Sequence, residues 1–285
     1  MMADKRPRLR AEALAAGLPP LLVAAHKVAA SVAQGTHGRR RSGPGEGFWQ
    51  FRRYQPGDPA ATVDWRQSAK SDPLYVRETE WSAAQTVWLW VDPSASMRWR
   101  SDAALPSKFD RACLLALALA ILLCRAGERV SLLGADFAPA ADARAPDRLA
   151  AALDRASGPL ATQSLPRNAL VVLFSDFFDT DGTIGQAVQQ WTGDGVGGQF
   201  VQILDPAEES FPYDGRVLFT GLENEGAFLA DHAASLRAAY RQRLLAHRDQ
   251  LAGTARAIGW GFTLHHTDSP STQPLIALHS ALSGG

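Results

Sequence analysis

The run Thr86 to Met97, TVWLWVDPSASM, restricts the fold more than any other part of the chain. Its apolar stretch from Val87 to Val91 stops abruptly at Asp92-Pro93-Ser94-Ala95-Ser96, so a buried strand delivers one carboxylate and two hydroxyls to its carboxyl end. Residues spaced by two in an extended loop point the same way. Asp92, Ser94 and Ser96 are therefore three oxygen donors on one side, a set that suits a hard cation such as Mg2+. The same residues also read as a strand-to-helix turn in which a serine caps the helix, and short motifs match by chance. The rest of the chain has to decide between the two.

A βα rhythm follows. It predicts a helix over about 109–126 closed by Gly127, a strand over 130–133, a helix over 146–155 and a second strongly apolar strand over 169–174 that ends in Ser175-Asp176. Next come a helix over 184–191, a strand over 200–204 ending in Asp205-Pro206 and a short strand over 217–220. A long helix over about 226–258, a strand over 261–265 and a closing helix over 274–282 complete the pattern. Apolar strands alternating with helices indicate an α/β fold, a doubly wound and mainly parallel sheet with helices on both faces. In such sheets ligands bind beyond the carboxyl ends of the strands, where the winding reverses. Three strands end in an acid, Asp92, Asp176 and Asp205. If the strands before Asp92 and Asp176 are neighbours, those two carboxylates meet over one site with Ser94 and Ser96 between them. Acids after strands also serve as helix caps. A second acid after an equally apolar strand favours the cation.

Length and charge bound the alternatives. A chain of 285 residues with 46% hydrophobic content buries a large core, and a formal net charge of zero provides no global field for nucleic acid or acidic lipid. Cys113 and Cys124 fall in one apolar run read as a helix, where eleven residues span roughly 16 Å, too far for a disulfide. Reduced cysteines fit the cytoplasm, the expected location. The most apolar stretch, Cys113 to Cys124, is shorter than the roughly 20 residues that cross a bilayer. The basic start of the chain is interrupted by Glu12, Pro19-Pro20, His26 and Lys27, so no cleaved export signal is expected.

Three segments follow from composition. Residues 1–34 read as a partly helical N-terminal arm broken at Pro19-Pro20, and 35–47 as a loop rich in Gly and Arg. Residues 35–84 form a segment too poor in continuous apolar sequence for its own core. It is expected to lie against the main domain, 85–285, burying Trp49, Tyr54, Trp65 and Tyr75 and pairing Arg53 or Arg66 with Asp58 or Asp64. Leu74 to Thr79 has the character of a strand.

The element order, the Asp92-x-Ser94-x-Ser96 loop and the later strand ending at Asp176 resemble a von Willebrand factor A domain with its metal-ion-dependent adhesion site. Arg53-Tyr54-Gln55-Pro56-Gly57-Asp58, Val63-Asp64-Trp65-Arg66, Ser68-Ala69 and Leu74-Tyr75-Val76-Arg77-Glu78 resemble the signature of the bacterial family called "domain of unknown function fifty-eight". The likeness continues through Met97 and Leu204-Asp205-Pro206-Ala207-Glu208 to a tail with Tyr240 and His247. The resemblance implies a von Willebrand A-like fold with a family-specific N-terminal extension. It also implies a role beside a MoxR-type AAA+ ATPase, and other von Willebrand A-domain proteins, as adaptor or co-chaperone. Adhesion sites of this type take a further ligand from a Thr in a separate loop followed by a helix. Here only Leu165 to Asn168 separate Ser164 from the next strand, and Thr162 is the nearest candidate. The implied ion, Mg2+ or Mn2+, would be held weakly by Asp92, Ser94, Ser96 and Asp176, or, with the Thr loop missing, not at all.

The leading expectation is a non-enzymatic binding module in which a bound Mg2+ meets a partner carboxylate. The alternative is a metal-dependent phosphoesterase using Asp92 and Asp176. The chain has no Gly-x-Ser-x-Gly elbow, no Walker A loop and no zinc spacing among its histidines and cysteines, and no small-molecule substrate is expected. Nucleic-acid binding through Arg39 to Arg41 and Arg52-Arg53 ranks last, because interleaved acids and zero net charge oppose it.

Overall fold

The computed structural model describes residues 20–35, 48–55, 63–70, 73–79, 85–136, 138–155, 160, 163–179, 182–222 and 226–282. The chain divides into two compact units, residues 37–84 and the remainder. In the smaller unit β1 (Phe48–Arg53) pairs antiparallel with β2 (Tyr75–Thr79), and a helical turn, Trp65–Ser68, lies between them in the chain. The Tyr75 amide donates to Ser68 Oγ at 2.9 Å, and Val63 bridges Val76, both side chains buried. Trp65, expected to be buried, is 66% exposed. Asp58 and Arg39 to Arg41 lie outside the described residues.

The larger unit begins with α1 (Pro20–Gly35) and resumes after residue 84 with β3 (Thr86–Val91), α2 (Lys108–Arg125), β4 (Arg129–Leu132) and α3 (Ala145–Leu153). It continues with β5 (Leu170–Ser175), α4 (Thr183–Gly193), β6 (Gly197–Leu204) and the short α5 (Pro206–Ser210). The hairpin β7 (Val217–Thr220) and β8 (Ala227–Ala230) follows, then α6 (Ala233–Ala257), β9 (Gly261–His266) and α7 (Thr272–Leu282). Five strands form one sheet in the order β4-β3-β5-β6-β9, every pair parallel.

Strand alternation divides the core in two. Val87, Leu89, Val91, Val172, Phe174, Val201 and Ile203 face one cluster, made with α1, α2, α3 and α7. Trp90, Val171, Leu173 and Phe200 face the other, closed by Ile184, Val188 and Trp191 of α4 together with Trp260. Helices therefore cover both faces, as apolar parallel strands require. α2 is apolar on nearly every side because it lies between the sheet and α1. It ends in a Schellman turn at Gly127, φ 85°, with the Glu128 amide donating to Leu123 O at 2.9 Å.

Two departures from the sequence reading have physical reasons. Part of the N-terminal arm belongs to the core: Leu22, Ala25, Ala29 and Val32 of α1 recur at helical spacing and are almost fully buried. The single long helix over 226–258 is a hairpin strand followed by a helix. Gly226 is left-handed at φ 86°, a conformation no helix interior admits, and Ala227–Ala230 pairs with β7 instead.

Candidate functional site

Counted within the sheet, the strand order is 2-1-3-4-5, which reverses between β3 and β5. The Asp92 amide donates to Phe174 O at 2.9 Å, which carries the β3–β5 ladder one residue beyond β3. Asp92 and Asp176 are thereby brought together at the switch point, as the sequence reading requires.

Asp92 is 7% exposed and both of its carboxylate oxygens accept local hydrogen bonds. The Ser94 amide donates to Oδ1 at 2.9 Å, an Asx turn that folds the loop back on itself, and Ser175 Oγ donates to Oδ2 at 2.6 Å. Burial raises the Asp92 pKa above the ordinary carboxylate value, while the Ser175 and Ser94 hydrogen bonds work in the opposite direction.

Ser94 Oγ and Ser96 Oγ lie 3.1 Å apart, and Ser96 Oγ donates to Asp176 Oδ2 at 2.8 Å. The Phe178 amide donates to Asp176 Oδ1 at 3.1 Å. Between them Phe177 adopts φ 59°, a costly left-handed backbone for a buried aromatic residue, and turns the chain at this edge. The structure thus gathers Asp92, Ser94, Ser96 and Asp176 in one network. Thr162 lies outside the described residues.

Asp205, the third acid after a strand, is a helix cap. Its Oδ1 accepts from the Ala207 amide at 2.9 Å, and Glu208 Oε2 accepts from the Asp205 amide at 2.8 Å, a capping box on α5. Asp205 Oδ2 accepts from the Ser101 amide at 2.9 Å, which anchors the loop after β3 to the end of β6.

The sequence reading missed Lys108. This residue opens α2, is 1% exposed, and donates from Nζ to Asp176 Oδ2 at 2.7 Å and to Glu208 Oε1 at 2.5 Å. Burial opposes its charge, but the Asp176 and Glu208 carboxylates outweigh that and hold its pKa above the ordinary lysine value. A signal was present in the sequence. Ser107 caps the helix, and a cation just inside a helix N-terminus faces the positive end of the dipole, so a lysine there calls for a nearby acid. Glu208 and Ser175 were also passed over as site residues.

The residues that would hold Mg2+ can be tested against this geometry. The oxygen spacings, 2.8 and 3.1 Å, are those of neighbouring ligands on a small cation. The charge arrangement is not. An ammonium group cannot ligate a metal, and it already holds the Asp176 oxygen that Ser96 also reaches. A divalent ion sharing that oxygen would stand within about 5 Å of the ammonium, where repulsion amounts to several kcal/mol even at an effective dielectric near 20. Among the described residues, no three His, Cys, Asp or Glu side chains gather as a metal-holding group. The donor set does not fit a divalent ion while Lys108 is in place.

Fold and site together define an α/β protein with a doubly wound parallel sheet whose candidate site lies on the loops at the carboxyl ends of the strands. The chain belongs to the family described as "Protein of unknown function DUF58", whose model matches residues 50–250. It is 26% identical over 270 residues to "Uncharacterized protein Mb1516" of Mycobacterium bovis, covering 86% of this chain and 82% of that one. Among solved structures, a conserved hypothetical protein BatB from Bacteroides thetaiotaomicron aligns with a TM-score of 0.45 at 13% identity, over 71% of this chain and all (100%) of that one. An aerotolerance-related membrane protein from Bacteroides fragilis aligns at 0.42 and 14% identity, with coverage of 71% and 100%. Among the described residues, no helix is long and apolar enough to cross a membrane.

Proposed function

We propose that this protein is a non-enzymatic interaction module, an adaptor or co-chaperone of a MoxR-type AAA+ ATPase, that docks its partner on the loops beyond β3, β5 and β6. The observation that carries this reading is the state of the acids. Both carboxylate oxygens of Asp92, Asp176, Asp205 and Glu208 already accept a hydrogen bond or an ion pair from the protein. A general base or nucleophile needs an oxygen aimed at substrate. Acids locked in this way serve instead as a frame for the loop over 93–105, on which Ala95, Arg98, Arg100 and Asp102 are exposed. Arg98 stacks on Phe109 at 4.5 Å, which presents a guanidinium in a fixed place for an acidic partner side chain. The ATPase is named on the strength of the family signature over 53–78.

The phosphoesterase reading ranks second, since it would have to release Asp176 from Lys108 before the carboxylate could act. The test is association of the purified protein with the MoxR-type ATPase of its own organism, followed by biolayer interferometry in metal-free buffer. The expected result is saturable binding that weakens at least tenfold in an Arg98→Glu, Arg100→Glu double variant. No binding, or equal binding by the variant, removes the docking proposal. Phosphoester turnover with Mg2+ that disappears in Asp176→Ala would install the enzyme in its place.

A further inference from the structure

Lys108 does more than neutralise one acid. Its ammonium joins Asp176 at the end of β5 to Glu208 in the first turn after β6. The same Asp176 oxygen receives Ser96 Oγ from the loop after β3. One buried cation thus connects the carboxyl ends of three adjacent strands. Glu208 is held in turn by the Asp205 amide and Asp176 by the Phe178 amide, so both carboxylates on the ammonium are oriented by the backbone.

We infer that Lys108, held by Asp176 and Glu208, is the resident cation beside the Asp92, Ser94, Ser96 and Asp176 network, so that the loops are assembled by a side chain of this chain rather than by a divalent ion. Three features support this. The ammonium has oxygen partners on two strand ends at hydrogen-bonding distance. It is buried beyond exchange with solvent cations, at 1% exposure. Its position at the first turn of α2, against the helix dipole, is explained by this task and by no solvent-facing one. The consequence is that the edge is built at any metal concentration and is insensitive to chelators. This inference does not depend on which partner docks there.

The experiment uses the full chain, freed of metal by chelation and dialysis and titrated with Mn2+ while free Mn2+ is followed by electron paramagnetic resonance. The wild type is expected to bind none at millimolar concentration, and its melting temperature to be the same in chelator and in Mn2+. Lys108→Met keeps the bulk of the side chain and removes the charge. It is expected to acquire one Mn2+ per chain, at least tenfold tighter than wild type, and to lose it again when Asp176→Asn is added. Lys108→Arg keeps the charge and is expected to remain metal-free, which provides a second variant should Lys108→Met fail to fold. Saturable 1:1 Mn2+ binding by the wild type, abolished by Asp176→Asn, overturns the inference. So does a folded Lys108→Met protein with no affinity for Mn2+.

Discussion

At the scale of single residues, buried ionisable groups decide how this protein responds to its surroundings. His265, at the end of β9, is 3% exposed, and its pKa is pushed down to about 4 by burial first and by Arg111 and His266 second, with Asp268 working the other way. The unfolded chain takes up that proton near 6.5, so the folded state loses stability as pH falls from about 6.5 toward 4. Complete passage through the window removes about 3 kcal/mol. Urea unfolding at pH 7 and pH 4.5 is expected to show this loss, and His265→Gln to remove most of it. A wild type equally stable at both values would show that the imidazole is not held neutral. Lys108 behaves differently. Its raised pKa means that its contribution is complete below the ordinary lysine value and fades only in strong alkali. The acids after β3 and β5 were legible in the sequence because each follows an apolar run that can only be a strand. Lys108 gave only the signal of a cation at a helix start, which names no partner, since its partners stand 68 and 100 residues away. Only the folded sheet brings them to it.

At the scale of elements, the sheet is tightest where β6 and β9 lie side by side. A Cβ built on Gly198 in β6 would come within 2.6 Å of the Trp260 ring. That ring has little freedom to retreat, because its Nε1 donates to Val196 O at 3.1 Å and it packs on Phe200 with centroids 5.3 Å apart. Gly198→Ala is therefore expected to cost about 1–3 kcal/mol in denaturant unfolding, by overpacking. A neutral effect would mean that the indole is looser than its hydrogen bond indicates. The elements that were legible are those with a dominant period. β3, β5 and α2 are apolar enough to be placed within one or two residues, as is usual where packing dictates sequence. The strand over 217–220 was read as such, but β8 and α6 were fused into one helix because α6 buries only Ala233, Leu244 and Ala255 and so carries a weak stripe. Against that background Phe228 and Leu229 looked like helix residues. Their strand pairing was announced only by Gly226.

At the scale of the whole molecule, one α/β unit carries the loops and most of the family match over residues 50–250, and a separate unit, residues 37–84, carries its beginning. The sequence reading set residues 35–84 apart because they hold too little continuous apolar sequence for a core of their own. It could not show that Pro20–Gly35 belongs to the larger unit, because the partners of that helix, α2 and α7, come some 80 and 240 residues later in the chain. The account rests on a site that looks in sequence like a cation loop and in structure carries its own cation. The most direct test is a crystal of the full-length wild type grown in about 10 mM Mn2+, concentrated enough to fill even a weak site, with anomalous data recorded at the manganese edge. The prediction is Lys108 Nζ in contact with Asp176 and Glu208 and no anomalous peak among Asp92, Ser94, Ser96 and Asp176. A peak bonded to the two serines, with Lys108 turned away, would contradict it.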